Sequence, residues 1–327
     1  MPRLALRALA VVAATLLAQP APAADDLGWP NRPVRIVATS PPGGSVDLLA
    51  RILAQDLTKK HGQPFVVENR PGANGDLGVA SVLRAPADGH ALFVAPAGPF
   101  SINLNLRPSM PFNPATDIAP VTLLAATPLV LMVHPSVPAT NVRELLAWLR
   151  AQHGKASYAS QAVGSTGHLA MELFKSLTGV EATHVPYRGS AAQAATDLVA
   201  GRVAMSFVNT STTIAYLQNG TLRAIAVAEK RRIASLPDIP TLEESGLPGF
   251  EASAWIGLGA RAGTPDAVVL QLAQDATQAL AQPESLRRLA ALGIEPRPMP
   301  PGEFAAFIGH DTERWAEVIR RSGATAE

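Results

Sequence analysis

Short β-branched apolar runs alternate along this chain with segments whose apolar residues recur at helical spacing, and turns rich in Gly, Pro and Ser separate the two. That alternation predicts an α/β protein with parallel-type layers. Val34 to Thr39 reads as the first strand, after which Leu48, Leu49, Ile52, Leu53 and Leu57 mark one face of a helix that stops before Gly62. Phe65 to Glu68 and Ala91 to Ala95 read as two further strands around a helix carrying Val79, Val82 and Leu83.

The stretch Val121 to Val133 is apolar throughout, yet β-branched and interrupted by Pro128. Those features disfavour a helix and predict an extended crossing between two lobes, with a hinge close by. Asn141, with Glu144 three residues on, forms a capping pair for a helix that finishes at Gly154. Strands are expected at Ala156 to Ser160, Ala182 to Tyr187, Val203 to Asn209 and Leu222 to Ala228, with intervening helices ending near Gly179, Gly201 and Gly220. Past Pro240 the chain is expected to cross back over Glu251 to Ala260. Thr264 then reads as a cap, with Pro265 at the first helical position and Ala267 to Ala281 following. Phe304, Phe307, Ile308, Trp315, Val318 and Ile319 share one stripe of a last helix, which is a core face rather than a ligand platform.

Length and composition sharpen this picture. A chain of 327 residues that is 47% hydrophobic and 16% charged exceeds one ordinary domain. Two lobes are expected, one from residues 24–125 and 247–327 and the other from residues 126–246. Arg3 and Arg7, the apolar run Ala8 to Ala18 and the small residues Ala21-Pro22-Ala23 form an export signal over residues 1–23, cleaved near Ala23. The run is well short of the ~20 residues that cross a bilayer. Cysteine is absent, which excludes disulfides, thiolate chemistry and a lipid-modified cysteine anchor. The mature chain is therefore expected to diffuse freely in the periplasm, as a monomer. Losing Arg3 and Arg7 from 27 basic residues leaves 25 against 26 acidic ones, a net charge of −1, and gives no reason to expect nucleic acid or an anionic membrane surface as partner.

Two turns carry candidate chemistry. Ser40-Pro41-Pro42-Gly43-Gly44-Ser45-Val46-Asp47 lies between a strand and a helix, where backbone N–H groups and the positive end of the helix dipole attract an anion without a charged side chain. Gly43 and Gly44 let the backbone approach a ligand, and Ser45 adds a hydroxyl. The alternative is an ordinary tight turn with Ser45 or Asp47 as helix cap. No Gly-Lys-Ser/Thr ending marks a nucleotide loop, and no nucleotide or other cofactor is expected. Ser160-Gln161-Ala162-Val163-Gly164-Ser165-Thr166-Gly167-His168 occupies the same position in the second half. Two such loops facing across a cleft form a clamp for a ligand with one or two carboxylates. A third turn, Pro186-Tyr187-Arg188-Gly189-Ser190, is placed to close the rim. Ser165 and His168 lack the Gly-x-Ser-x-Gly elbow and a converging acid, so a serine hydrolase is the weakest alternative and no enzyme is expected. His168 reads as a helix-start or packing histidine counted with the loop. His61, His90, His134, His153, His184 and His310 show no metal-ligand spacing.

The ordered motifs Trp29-Pro30-Asn31-Arg32-Pro33-Val34-Arg35, Pro41-Pro42-Gly43-Gly44-Ser45, Val67-Glu68-Asn69-Arg70-Pro71-Gly72-Ala73, Ala87-Asp88-Gly89-His90, Gly164-Ser165-Thr166-Gly167-His168-Leu169, His184-Val185-Pro186-Tyr187-Arg188-Gly189, Leu236-Pro237-Asp238-Ile239-Pro240-Thr241 and Ala262-Gly263-Thr264-Pro265 extend through nearly the whole mature chain. With them the chain resembles the Bug-type substrate-binding receptors of tripartite tricarboxylate transporters. The resemblance implies a two-lobe type II periplasmic binding protein, or Venus flytrap, with hinge crossings and a ligand cleft between lobes. It implies capture of a small carboxylate (a di- or tricarboxylate, acidic amino acid or aromatic acid) for delivery to integral membrane transporter subunits. A receptor feeding a two-component sensor kinase is the alternative. Residue by residue, it carries ligand-binding roles to Gly43, Gly44 and Ser45 in one lobe and to Ser160, Ser165 and Thr166 in the other. Asp47 resembles the family's aspartate at the helix start, Tyr187 and Asp197 occupy family positions with Asp197 supporting the pocket wall, and Gly164 and His168 are counted with the second loop as ligand-binding. Ser40, Val46 and Ala162-Val163 depart from the family pattern, so the resemblance does not name the solute.

Overall fold

The computed structural model describes residues 28–107, 109–187 and 191–325. The expected export signal, residues 1–23, and Arg188-Gly189-Ser190 of the third turn lie outside the described residues. The apolar runs become strands because helices cover the sheet on both faces and remove the β-branched side chains from water. In lobe 1, β1 (Val34–Ala38), β2 (Phe65–Asn69) and β3 (Ala91–Pro96) lie parallel in the order β2-β1-β3. Helices α1 (Ser45–His61) and α2 (Asp76–Leu83) connect them. A π turn at Gly98–Ile102 runs into the short helix α3 (Asn103–Leu106), and α4 (Pro114–Asp117) follows.

The run read as a crossing is a single strand of 16 residues, β4 (Ile118–Val133). Its first part, Ile118 to Pro128, pairs antiparallel with β9 (Ser253–Arg261), which in turn pairs antiparallel with β3. Its second part, Leu129 to Val133, pairs with β7 (Met205–Asn209) and β8 (Arg223–Val227) instead. The strand thus leaves one sheet and enters another at Pro128/Leu129. In lobe 2, β5 (Ser157–Ser160) lies parallel to β7 and to β6 (Thr183–Pro186). Helices α5 (Val142–Gln152), α6 (Thr166–Thr178), α7 (Ala191–Val199) and α8 (Thr210–Gln218) alternate with these strands. The Asn141 carboxamide accepts the Glu144 N–H at 3.0 Å, as the capping pair required.

After the return through β9, the chain forms α9 (Asp266–Ala281), α10 (Pro283–Ala290), β10 (Glu295–Pro296) against Ala125 and Ala126, and the long α11 (Pro301–Ser322). Phe304 and Trp315 are buried and Phe307 and Ile308 half-buried, so the last helix does present a core face. One expectation shifts by a residue. Pro265 flanks the helix in an extended conformation, and the Thr264 hydroxyl donates back to the Arg261 carbonyl at 2.8 Å, so Thr264 closes the preceding turn instead of capping α9. The segments Gly98–Leu106, Pro283–Ala290 and Glu295–Pro296 form elements beyond those expected from the sequence, although Pro283 at the first position and the spacing of Leu286 and Leu289 mark the second of them as helical.

Candidate ligand cleft

Strand direction decides where the two candidate turns sit. β1, β2 and β3 end toward the level of β4 at which Pro128 faces Ser253. β5, β6 and β7 end toward Leu129, which faces Asn209 at the end of β7. The carboxyl edges of both parallel sets therefore meet at the crossing, and the turns after β1 and β5 are carried on facing edges, the ordinary place for a ligand in open α/β sheets.

In the first loop Gly43 takes φ +87°, a left-handed conformation that favours glycine, and its N–H donates to Asp47 Oδ2 at 3.0 Å. Asn69, at the end of β2, donates to Asp47 Oδ1 at 2.9 Å and to the Ser40 carbonyl at 3.1 Å, and Arg51 Nε donates to Asp47 Oδ2 at 3.0 Å. Burial works to raise the Asp47 carboxyl, but these hydrogen bonds from Arg51, Gly43 and Asn69 win and hold it at about 2. Both its oxygens are taken by the protein, so Asp47 shapes the loop from within. Gly44 is the N-cap of α1 and no side chain caps this helix, leaving its first-turn N–H groups for another acceptor. The Ser45 hydroxyl makes no hydrogen bond among the described residues, and Gly43, Gly44 and Ser45 all retain access to solvent.

The second loop is organised in the same way, with more of its polar groups used up. Ser165 caps α6, accepting the His168 N–H at 3.4 Å and donating to the Ala162 carbonyl at 2.8 Å. Ser160 Oγ is 3.0 Å from the same carbonyl and 2.6 Å from His184 Nε2. Gly164, at φ +75°, donates its N–H to His168 Nδ1 at 3.1 Å. His168 stacks on His184 with centroids 4.0 Å apart, and His184 on Tyr158 at 4.8 Å. Tyr158 donates to Glu172 at 2.5 Å, and Glu172 is paired with Lys175. Burial, with Lys175 nearby, holds His168 at about 4; burial, with His168 as neighbour, does the same to His184. A neutral imidazole accepts the Gly164 N–H and anchors the loop. Thr166 alone among the loop's predicted hydroxyls has no hydrogen bond among the described residues. Tyr187 donates to Asp197 Oδ2 at 2.7 Å and Arg202 donates to Oδ1 at 2.6 Å, so Asp197 braces Tyr187 and is itself fully engaged. Burial first and Asp197 second push the Tyr187 phenol up to about 12.

Sequence reasoning missed His184 and Asn69 as builders of the two loops. His184 entered only as a histidine without metal-ligand spacing, because its meeting with Ser160 depends on β6 lying beside β5. The Ser165 hydroxyl faces the His168 backbone instead of its ring, and His168 Nδ1 is occupied by Gly164, so Ser165 and His168 do not form a nucleophile–base pair. Among the described residues no cluster of His, Asp or Glu could hold a metal. A surface cavity of about 560 Å³ bounded by Leu83, Arg84, Phe112, Asp117 and Arg261 opens at the other edge of lobe 1, where Ile118 faces Arg261, away from both loops.

Comparison with known proteins decides the family. Residues 49–324 match the model of the tripartite tricarboxylate transporter family receptor. The chain belongs to this receptor family. The receptor is 35% identical to Protein BugT of Bordetella pertussis over 297 residues, 90% of this chain and 91% of that one. Its fold matches R. palustris Rpa4515 with adipate at TM-score 0.80 and 36% identity, covering 91% and 99% of the two chains. It matches MatC from Rhodopseudomonas palustris with bound malate at TM-score 0.77 and 32% identity, covering 89% and 100%. The expected two-lobe periplasmic-binding-protein fold and the Bug-type resemblance hold, and the chain is a solute-binding receptor, not an enzyme. No helix among the described residues is long and apolar enough to cross a membrane.

Proposed function

We propose that this receptor captures a small carboxylate in the periplasm and delivers it to the integral membrane subunits of a tripartite tricarboxylate-type transporter. The observation that carries the reading is the pair of helix-start loops on facing strand edges, each presenting neutral donors. In the first loop these are the uncapped N–H groups of α1 with Ser45, and in the second they are Thr166 and the start of α6. A carboxylate ligand bridging both loops meets donors from both only when the lobes close, so binding draws the hinge toward the closed form. Asp47, Ser160, Gly164, Ser165, His168, Tyr187 and Asp197 act behind the ligand by fixing loop shape, Gly164 being buried with its N–H given to His168, while Gly43, Gly44, Ser45 and Thr166 form the surface it meets. Adipate and malate, bound in two relatives, support a dicarboxylate within the wider range of di- and tricarboxylates, acidic amino acids and aromatic acids. The mature chain begins after the signal over residues 1–23, and the lobes comprise residues 24–125 with 247–327 and residues 126–246, hinged where β4 changes sheets.

Calorimetric titration with a panel of such acids tests the proposal. At least one is expected to bind, with affinity falling about tenfold or more in Gly44→Val, because a branched side chain stands where the ligand must approach the backbone. Equal affinity in the variant and the parent would reject the site.

A further inference from the structure

We propose that Leu106 is the positioning residue that holds the two lobes together beside the cleft, an inference resting on the carboxylate site described above. Leu106 ends α3 on lobe 1 and is 2% exposed. Its Cδ1 lies 2.1 Å, and its Cγ 3.4 Å, from the point where a Cβ on Gly164 would stand. Only a hydrogen fits there, so the apex of the lobe 2 loop and the leucine of lobe 1 are mated surfaces. His168 sets the apex from behind by accepting the Gly164 N–H.

On the other side the leucine is rigidly mounted. Asn103 Nδ2 donates to Asp76 Oδ1 at 2.6 Å, and Asn74 Nδ2 donates to Asn103 Oδ1 at 2.7 Å. Arg107 Nη1 donates to the Ala73 carbonyl at 3.1 Å and to Asp76 Oδ2 at 3.2 Å. The turn bearing Ala73 and Asn74 follows β2, whose last residue, Asn69, ties the Ser40–Asp47 loop. Two hydrogen-bonded clusters, joined by the short chain segment from Asn69 to Ala73, therefore connect the first loop to the helix bearing Leu106, which then touches the second. This contact crosses between the lobes, as does the packing of α11 on α6, and to act as a latch it must be made in the closed form and broken on opening. It favours closure by the part of the leucine side chain that the Gly164 apex covers and keeps both loops in register for the same ligand.

The chain has no cysteine, so Lys59→Cys on α1 and Thr196→Cys on α7, both exposed, accept spin labels specifically. Interlobe distances are then measured by pulsed electron paramagnetic resonance, without ligand and with millimolar adipate as probe. The parent protein is expected to show a population at the separation of this structure. Leu106→Ala lowers the closed-to-open ratio about tenfold or more. Leu106→Met retains it, as a swap of similar volume, and Gly164→Ala abolishes it. A distribution in Leu106→Ala equal to that of the parent overturns the proposal. So does a parent with no population at this separation in either condition. Distances that respond to Leu106→Ala but not to adipate leave the latch standing and count against adipate as the ligand.

Discussion

Gly44 takes φ −84° and ψ 175°, and the point where its Cβ would stand has no neighbour nearer than 3.9 Å. A Cβ there makes only ordinary van der Waals contact with the Pro41 carbonyl and Ser40 Oγ, so Gly44→Val introduces no internal clash, and its loss of binding would exceed the small stability change expected at a helix N-cap. The two neighbouring hydroxyls of the second loop separate in the same way. Ser165 is the cap of α6 with both its proton and an acceptor site in use, so Ser165→Ala is expected to cost about 1 kcal/mol of stability. Thr166 has no hydrogen bond among the described residues, so Thr166→Ala is expected to leave stability alone and weaken carboxylate binding about tenfold. Denaturant unfolding together with titration calorimetry measures both. Parental affinity in Thr166→Ala would remove its hydroxyl from the site. The sequence offered Ser160, Ser165 and Thr166 as equal donors, since nothing along the chain reveals that the Ala162 carbonyl turns inward to collect two of them.

At the scale of elements, α6 and strands β5 and β6 enclose the stacked His168 and His184 with Tyr158, Glu172 and Lys175 around them. Both histidines are held at about 4, against 6.5 in a free side chain. Between pH 6.5 and pH 4 the unfolded chain takes up these protons while the folded one does not, so stability falls as pH falls through this window. The loss is at most about 1.4 kcal/mol per pH unit for each histidine. Asp47, held at about 2, contributes stability above its ordinary 3.8 that is lost only at lower pH, so the two effects separate on the pH axis. Unfolding midpoints measured from pH 7 to pH 4 are expected to drop, and to drop less steeply in His168→Gln. A flat profile would show that the stack is not neutral at pH 7 or is open to solvent. Strand periodicity and helix punctuation made α6, β5 and β6 readable from sequence to within a residue or two. The stack itself was not readable, because Tyr158 faces His184 only through the parallel register of β5 and β6.

At the scale of the whole molecule, α11 returns from the end of the chain to fasten the second crossing. Buried Asp311 accepts hydrogen bonds from Ser101 at 2.6 Å, Trp255 Nε1 at 3.1 Å and Arg314 at 2.5 Å, and Arg314 also donates to the Glu251 carbonyl at 3.0 Å. Asp311→Ala leaves two buried donors and a half-buried guanidinium without their acceptor, and is expected to destabilise the receptor by about 3 kcal/mol or more. A denaturant midpoint that does not move would show that the crossing is held by apolar packing alone. The sequence by itself determined the α/β class, the strands other than β10 and most helices, the crossing through Pro128 and the two Gly- and Ser-bearing turns, because hydrophobic period, glycine and proline are local properties. Only the tertiary structure decided which polar groups those turns spend on themselves, that Asn69 and His184 build them, and that Leu106 meets Gly164. Each of those facts is a contact between residues far apart in the chain, and the strand order that creates them follows from packing two sheets on one shared strand.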